Sequence, residues 1–413
     1  MSPDNRPRVA ITGIGAVTPI GIGVDGLRAG IMAGSSGVSE ITSFDCSKHR
    51  TKVAAEVRGF DALEFVSKKN RKHVDRFASF AVAAARMAAE DSGLDLAENS
   101  GAGISMGSAL GGTGFAEEQH DIFREQGLGR VHPSLALLVF GASSSSNIAI
   151  ELGLNGPNVT NSNSCSSGTV AIGEGFEMIR AGRAKVVLAG GSEAPLFPLS
   201  FGSFTLIKAM SARNGDPEGA CRPFDMDRDG FVMGEGSAVL VLEDMEHALS
   251  RGAKVYAEVE GYGLTNDAYH MTSSLPGGEL AAGAITAALG QARLSPEDIG
   301  YINAHGSSTQ MNDRHETEAI KLALGPHAYN VPISGTKPFY GHPLGAAGAI
   351  EAAICALAIS DGYLPPTLNL TRPDPACDLD YIPLSGRNTR VDHILSNSFG
   401  FGGINAVLVL GRV

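Results

Sequence analysis

Three side chains in this sequence have the chemistry of a covalent thiol enzyme. Cys165 lies in the polar run Asn161–Gly168, just before a helix-like stretch, Thr169–Arg180. The unpaired N–H groups and the positive dipole end at a helix start favour thiolate, the nucleophilic form of cysteine. His305 and His342 follow in glycine-rich segments. One cysteine and two histidines, spread over about 180 residues, indicate nucleophilic catalysis.

Each of these residues has a structural alternative. A lone cysteine is more often a buried structural thiol, but the polar and glycine neighbours of Cys165 do not make an apolar core. His305 ends a predicted buried strand, where α/β folds open into ligand crevices. Lys337 and Glu351 flank His342 and could fix the charge and tautomer of a histidine. A surface salt bridge is the alternative for this pair.

The composition describes a globular, acidic chain. Of 413 residues, 43% are hydrophobic and 18% are charged, and the net charge of −12 argues against nonspecific nucleic-acid binding. Five cysteines without paired spacing fit a reducing cytoplasm, and the polar N-terminus predicts no signal peptide. The apolar stretch Pro343–Ile359 contains Glu351, so we expect a buried helix there and no membrane association.

Apolar runs alternate with helix-like stretches along the whole chain, which predicts an α/β fold whose sheets are covered on both faces. A boundary after the helix-like Asp244–Ser250 divides the chain into residues 1–252, with the cysteine nucleophile, and residues 253–413, with both histidines. The predicted strands are Val9–Thr12, Ala102–Met106, Lys185–Ala189, Ser237–Leu242, Val255–Tyr262, Ile299–Ala304, Val331–Ser334 and Ala406–Leu410. The predicted helices are Ala78–Ser92, Thr169–Arg180, Gly278–Ala292 and Ala346–Ser360.

Two motifs resemble ligand sites in part only. In Gly13–Thr18, Thr18 replaces the third glycine of a dinucleotide fingerprint and Pro19 disrupts the expected helix, so we predict a tight turn after the first strand. Asp225–Gly230 begins like a calcium loop, but Gly236 stands at the closing glutamate position. A structural turn with Asp–Arg pairing is the prediction there. No Cys/His cluster has zinc spacing, so no metal site is expected.

Several long motifs occur in one order along nearly the whole chain. They are Val9–Gly15, the polar turn around Cys165, Cys221–Asp225 with Asp229–Gly236, His305 at a strand end, Lys337 with His342, and Asn397–Gly403. In this combination the chain resembles the β-ketoacyl-acyl-carrier-protein synthases of the Cys-His-His kind, in the thiolase-like superfamily. The resemblance implies a five-layered αβαβα fold built from two duplicated halves, and a homodimer or a near-symmetric heterodimer.

The resemblance also implies an activity, the decarboxylative Claisen condensation of malonyl-acyl carrier protein with an acyl group held on Cys165. The acyl carrier protein is the expected partner; its phosphopantetheine arm carries the substrates, and no cofactor of the enzyme's own is expected. Backbone N–H groups of Cys165 and Phe401 suit an oxyanion, and neutral histidines suit an enolate. The implied catalytic residues are Cys165, His305, His342, Lys337, Glu351 and Asp313. The implied pantetheine- and substrate-binding residues are Thr272, Ser307, Thr309, Phe399, Phe401 and Leu110.

The resemblance also implies roles for two phenylalanines and for a group of basic residues. Phe399 and Phe401 are expected to gate malonyl entry, a role compatible with the alternative of core packing. Because both partners are acidic, carrier docking needs a local basic patch, and the resemblance places one on a helix at Ser67–His73. The docking residues are Lys68, Lys69, Arg71 and Lys72, extended by Lys208 and Arg213. A solvated helix face is the alternative, and docking should weaken with salt.

Departures from the fatty-acid pattern leave the pathway open. The turn around Cys165 is polar, Pro338–Tyr340 and Pro343 surround His342, and Phe140–Ser146 is unusually polar for an interface and acyl pocket. Leu110 stands where an acyl-pocket gate is expected. The alternatives are fatty acid elongation and a dedicated type II polyketide or polyene pathway with a chain-length-factor-like partner. A thiolase acting on coenzyme A esters remains a further alternative, although a second catalytic cysteine is missing from Gly400–Gly403.

Overall fold

The alternating apolar runs and helices form a mixed sheet with helices on its faces, in a computed structural model that describes residues 6–413. The strands are β1 (Val9–Thr18), β2 (Gly21–Ile22), β3 (Ser39–Glu40), β4 (Val53–Ala54), β5 (Gly103–Gly107), β6 (Asn158–Asn161), β7 (Val186–Glu193), β8 (Gly236–Asp244), β9 (Ala257–Asn266), β10 (Ile299–Ala304), β11 (Ile333–Gly335), β12 (Tyr363–Leu364), β13 (Arg387–Asn388), β14 (His393–Gly400) and β15 (Ile404–Gly411). The helices are α1 (Gly23–Ala33), α2 (Arg76–Ser92), α3 (Thr113–Gln126), α4 (Leu135–Leu138), α5 (Ser143–Leu152), α6 (Ser167–Arg180), α7 (Pro198–Leu206), α8 (Met245–Ser250), α9 (Glu279–Ala292), α10 (Gln310–Leu324), α11 (Lys337–Tyr340) and α12 (Ala347–Asp361). Every predicted strand and helix is present, with changed ends.

The sheet repeats one strand order twice. Its order is β11-β10-β14-β15-β9-β1-β8-β7-β5-β6, with β2 beside β1. In each half, the second strand from the outer edge of the sheet (β5 or β10) is parallel to both of its neighbours. The remaining pairs are antiparallel. The halves meet where β1 and β9 pair antiparallel, with Val9 opposite Val259. The expected duplication is therefore confirmed in the topology.

The helices complete the expected five layers. Helix α2 packs on β1 and β8 at one outer face, and α9 packs on β9 and β15 at the other. Helices α6 and α12 contact each other and the strands of both halves, so they form the middle layer. The stretch Leu344–Asp361 is long and apolar enough to cross a membrane, but 89% of it is buried. It is the core helix that the sequence predicted.

Glycines let the outer helices approach the strands closely. A Cβ at Gly15 would lie 1.9 Å from the Ala84 carbonyl oxygen of α2, and a Cβ at Gly263 would lie 2.0 Å from the Ala284 carbonyl oxygen of α9. The same contact thus occurs at equivalent places in both halves. The tight turn predicted at Gly13–Thr18 is wrong, because β1 continues through these residues and their glycines serve helix packing.

The aspartate-rich segment is a structural turn, as predicted. The Asp225 carboxylate accepts hydrogen bonds from the amides of Asp227 and Arg372 and lies 3.6 Å from the Arg222 guanidinium. Asp227 pairs with Arg372 at 2.9 Å. These contacts tie the turn to the chain near residue 372. The predicted boundary after residue 252 falls between α8 and β9 and stays a prediction.

Replacing the packing glycines should destabilise the fold. We expect Gly15→Ala and Gly263→Ala each to lower the free energy of unfolding by about 1–3 kcal/mol or more, because the new methyl group overlaps a helix carbonyl. Chemical denaturation measures this change. Gly290→Ala is the matched control, since Gly290 lies in α9 with no atom near its Cβ position. That variant should gain about 0.5–1 kcal/mol; equal losses in all three would contradict the packing argument.

Candidate active site

Cys165 lies on a sharp elbow between strand β6 and helix α6. It occupies a single 3-10 turn, Ser164–Ser166, and Ser164 has a φ of 51°, in the left-handed region. Such a conformation costs about 1–3 kcal/mol and persists only where the surroundings hold it. The Ser166 hydroxyl donates to the carbonyl oxygens of Ser398 and Ile404, at 3.1 and 2.8 Å. The elbow is therefore fixed to strands β14 and β15.

The turn between β14 and β15 approaches the cysteine from the other half. The backbone N–H of Phe401 lies on the side of the Cys165 thiol and acts to lower its pKa. A Cβ at Gly400 would lie 3.2 Å from the Cys165 nitrogen, so a larger residue here would crowd the elbow. The amides of Cys165 and Phe401 are thus close together, as an oxyanion hole formed by both would require.

The electrostatics of the thiol differ from the sequence expectation. Burial raises the pKa of Cys165 to about 11, while the Phe401 N–H and the Lys337 charge act to lower it. The expectation that the helix start would favour thiolate in the free protein is wrong, because desolvation outweighs the favourable contacts. A base must therefore take the proton when the thiol reacts.

The two histidines meet at one point although 37 positions apart in the chain. His305 follows strand β10 and His342 follows helix α11; their ring centroids are 5.3 Å apart, and the ring planes are inclined at 80°. Both rings are buried. The backbone of His342 bonds to Val232 and Gly234, which fixes the segment that carries it.

Lys337 is buried between His305 and Glu351. Its ammonium lies 3.3 Å from His305 Nδ1, 2.5 Å from the His305 carbonyl oxygen and 2.5 Å from Glu351 Oε1. An ammonium only donates hydrogen bonds, so Nδ1 of His305 must be the acceptor. The remaining proton of the neutral ring is then on Nε2, which makes Nε2–H a donor.

Both rings are neutral at pH 7. Burial holds the pKa of His305 well below its usual value, and the charges of Lys337 and His342 act in the same direction. Burial and the Lys337 charge do the same for His342. Neutral imidazole can accept a proton at one nitrogen and donate a hydrogen bond from the other. His305 is therefore suited to stabilise an enolate through Nε2–H, and His342 can accept a proton or donate a hydrogen bond.

Asp313 does not join the histidines. It is buried, it accepts a hydrogen bond from the Phe224 amide, and it lies 3.4 Å from the Arg228 guanidinium. Arg228 in turn donates to the carbonyl oxygen of Thr309. The contacts thus correct the expectation that Asp313 belongs to the Lys337 network; it supports the loop that carries Thr309.

Glu316 supports His305 instead, and the sequence analysis missed it. Its carboxylate accepts hydrogen bonds from the amides of His305 and Gly306, both at 2.8 Å. Burial raises the pKa of Glu316 to about 7, against the effect of these bonds. It lies on the buried face of α10, one turn after Asp313. A charged residue at a core-facing position was the signal that could have identified it.

One cavity of about 450 Å³ brings most of the predicted site together. Its polar wall continues from the reacting groups to Ser307 and Thr309, whose hydroxyls are 2.9 Å apart. Predicted residues along it are Cys165, His305, His342, Thr272, Ser307, Thr309, Phe399, Phe401 and Lys208. Lys337 and Glu351 lie behind the histidines. Such a long, partly polar cavity suits a chain with amide groups that ends at the thiol.

Leu110 lies outside this cavity. It packs in an apolar cluster with Cys165, Leu344 and Phe401, and its amide donates to the buried carboxylate of Glu193. It therefore borders Cys165 on the apolar side, and its expected role as an acyl-pocket gate stays a prediction. Glu193, at the end of β7, was also missed.

The basic segment is not an α-helix. Residues 67–70 form a turn and Arg71–His73 a short 3-10 helix, which corrects the expected docking helix. Lys68, Lys69 and Lys72 are exposed, whereas Arg71 donates to the carbonyl oxygens of Leu63 and Val66. Farther along the chain, Lys208 is exposed at the cavity, and Arg213 donates to the Asp227 carbonyl oxygen.

Comparison with known proteins gives matches over nearly the whole chain. The family model described as the N-terminal domain of β-ketoacyl synthase matches residues 6–248, and that of the C-terminal domain matches residues 256–371. The chain is 46% identical over 409 residues to 3-oxoacyl-[acyl-carrier-protein] synthase 2 of Synechocystis sp., covering 98% of each. It is 43% identical over 410 residues to the protein of the same name from Coxiella burnetii, covering 99% of each.

Two solved structures extend the comparison. A chain from a complex of a type II polyketide acyl carrier protein with its hexaketide-bound ketosynthase has a TM-score of 0.89 at 38% identity. A chain of the ishigamide ketosynthase/chain length factor has a TM-score of 0.93 at 36% identity. Both likenesses cover 99% of this chain and 100% of the other.

The raised thiol pKa predicts how the cysteine alkylates. We expect the rate of iodoacetamide modification of Cys165 to rise about tenfold per pH unit from about pH 6 to pH 9, because only thiolate reacts. Peptide mass spectrometry assigns the modified residue, and Cys165→Ala confirms the assignment. A rate that levels off below about pH 8 would instead show a thiolate stabilised at neutral pH.

Proposed function

The chain belongs to the β-ketoacyl synthase family, and we propose that Cys165 is the nucleophile of its condensation reaction. The protein is a β-ketoacyl-acyl-carrier-protein synthase, an acyltransferase that forms carbon–carbon bonds in fatty acid or polyketide chain elongation. The observation that carries the residue assignment is one cavity in which Cys165, His305 and His342 meet, with Lys337 bonded behind the first histidine. The matches favour a synthase over a coenzyme A thiolase.

In the first half-reaction, the acyl group moves from the carrier's thioester to Cys165. A neutral imidazole takes the thiol proton as sulfur attacks the acyl carbonyl carbon. The carbonyl oxygen becomes an oxyanion, which accepts hydrogen bonds from the amides of Cys165 and Phe401. The carrier thiolate then leaves and takes up the proton, so the enzyme is acylated and neutral again.

In the second half-reaction, malonyl-carrier protein occupies the same cavity. The C–C bond to the carboxylate breaks, CO2 leaves, and the electron pair forms an enolate on the malonyl thioester. Nε2–H of His305 and a ring N–H of His342 donate to the enolate oxygen. The enolate carbon attacks the acyl carbonyl, and Cys165 leaves as thiolate, which takes up one proton from solvent and becomes the resting thiol again. The product is a β-ketoacyl chain two carbons longer.

The wall between the reacting groups and the surface suits the phosphopantetheine arm of the carrier. Hydroxyls of Thr272, Ser307 and Thr309 line it and can bond to the amides of the arm. Phe399 and Phe401 border the histidines and the thiol, where their movement would admit malonyl. The arm belongs to the carrier, and the proposed reaction uses no further cofactor.

Acyl carrier protein is the proposed partner. A solved relative is a ketosynthase in complex with its carrier, which supports this. The exposed ammonium groups of Lys68, Lys69, Lys72 and Lys208 offer positive charge to an acidic carrier despite the net charge of −12. Arg71 and Arg213 donate to backbone carbonyls and would contribute less. We place this reaction in the cytoplasm.

A second subunit is proposed at the edge of the sheet. Strand β6 is the last strand in the sheet order, and Val159 on it is exposed. Exposed Ile150 of α5 and Phe140 lie in the segments before it. An unpaired edge with apolar side chains favours pairing with another chain. The second subunit is a copy of this chain or a chain-length-factor-like protein; a ketosynthase/chain length factor among the solved relatives supports the latter, with a dedicated type II polyketide pathway.

An acyl adduct tests the nucleophile. After incubation with a panel of acyl-carrier proteins, intact mass spectrometry should show one acyl group on the wild type and none on Cys165→Ala. Cys221→Ala, which changes another buried cysteine, is the control and should acylate. Adducts from coenzyme A esters but from no carrier would contradict the proposal. Preference for long saturated chains would indicate fatty acid elongation, and preference for polyketide chains the dedicated pathway.

Loss of one histidine should separate the two half-reactions. We expect His342→Ala to lower malonyl decarboxylation by about 10²–10³-fold, because one enolate donor is lost. Acylation of Cys165 should fall much less, since the backbone amides that face the oxyanion remain and water in the space of the lost ring can accept the thiol proton. His393→Ala is the control, because His393 pairs with Glu260 away from the cavity. Equal losses of acylation and decarboxylation would assign His342 to the acylation step.

A further inference from the structure

Glu193 is a buried carboxylate at the end of β7 that the condensation steps do not use. Its Oε2 accepts hydrogen bonds from the amides of Ala109 and Gly345, at 2.6 and 3.0 Å. Its Oε1 accepts from the Leu110 amide and the Ser108 hydroxyl, both at 3.1 Å. Four donors from two separate chain segments therefore share one side chain.

Both segments border the reacting groups. Residues 108–111, here called the acyl-side loop, follow β5 and carry Leu110, which packs in the apolar cluster that contains Cys165. Residues 343–346 follow His342 directly, and Leu344 packs in the same cluster. The carboxylate thus joins the apolar side of the nucleophile to the segment that carries a histidine.

The two segments approach too closely for a side chain between them. A Cβ at Gly345 would lie 2.4 Å from the Ala109 nitrogen and 2.7 Å from Glu193 Oε2. The preceding Leu344 has a φ of 38°, in the left-handed region, so this segment needs external contacts to hold it. Backbone hydrogen bonds to Glu193 provide them.

The other half of the fold uses the same device. Glu316 accepts the amides of His305 and Gly306, which follow β10. Strand β10 occupies the place in its half that β5 occupies in the first half. In each half, a buried carboxylate therefore fixes the loop that follows the equivalent strand. In one half this loop carries His305, and in the other it carries Leu110 of the apolar cluster that contains Cys165.

We propose that Glu193 is a positioning residue that sets Leu110 relative to His342, and so determines which acyl chains Cys165 accepts. The proposal rests on the proposed function, in which Cys165 carries the acyl group. Loss of one hydrogen-bond acceptor leaves a buried amide without its partner, and the loop that carries the amide relaxes. Relaxation of the acyl-side loop moves Leu110 and changes the space beside the thiol.

Glu193→Gln is the informative variant, because it keeps the size of the side chain. Its single amide oxygen can still accept from Ala109 and Gly345, and its NH2 group can donate to the Ser108 hydroxyl. The NH2 group would then face the Leu110 N–H. Both groups are donors, so no hydrogen bond can form between them. Leu110 should therefore be released while the Gly345 contact is kept.

The control is Glu243→Gln. Glu243 is equally buried and accepts from Thr12, His247 and Arg251. It lies opposite Val186, at the other end of β7 from Glu193. A loss that is only structural should therefore affect both variants alike.

Amide hydrogen exchange tests the position of the loop without any substrate. Glu193→Gln should speed exchange in peptides covering residues 108–111 by about tenfold, and Glu243→Gln should not. Unchanged exchange in the acyl-side loop, or the same change in both variants, would overturn the proposal. This outcome does not depend on whether the protein acylates.

The acyl-chain profile tests the consequence. Rates of adduct formation on Cys165 are measured with short and long acyl-carrier proteins. Glu193→Gln should change the long-to-short ratio by about tenfold, and Glu243→Gln should leave that ratio as in the wild type. An unchanged ratio in a variant with faster loop exchange would overturn the specificity role. Absence of adducts on the wild type would instead count against the proposed function and leave the exchange result to decide the position of the loop.

Discussion

A positive charge buried behind the histidines is the constraint on which this site depends. An ammonium inside a protein costs several kcal/mol unless charge and hydrogen bonds compensate it. Lys337 has both, from Glu351 of the middle helix α12 and from two atoms of His305. The pair thus joins the middle layer to the end of β10. Because Lys337 can only donate, it also fixes which nitrogen of His305 carries the proton.

Burial favours the uncharged form of Cys165, His305 and His342. Burial raises the pKa of the Cys165 thiol to about 11 and holds the pKa of His305 and that of His342 well below 6.5. The resting site is therefore a set of neutral reacting groups beside one compensated ion pair. In the proposed reaction, charge develops on oxygens beside backbone or imidazole N–H groups, which are held in place before the substrate arrives.

The sequence predicted the elements and the residues that meet in the cavity because both have local signals. Apolar runs identified the strands, and polar glycine-rich turns identified Cys165, His305 and His342. What it missed depends on tertiary burial. The thiol pKa reflects desolvation by residues distant in sequence, and the partners of Asp313 come from a turn that lies far before it in the chain. Gly13–Thr18 read locally as a turn, since only helix α2 explains its glycines.

Duplication gives each half an equivalent elbow, and one of the two carries the proposed nucleophile. Each middle helix begins with a 3-10 turn whose first residue has positive φ, Ser164 before α6 and Leu344 before α12. The next residue is Cys165 in one elbow and Gly345 in the other. The Gly345 amide is already bonded to the Glu193 carboxylate, whereas the Cys165 nitrogen lies near Gly400 in the turn from the other half. One elbow is thus closed by a buried side chain, and the other is left open for the oxyanion of the proposed reaction.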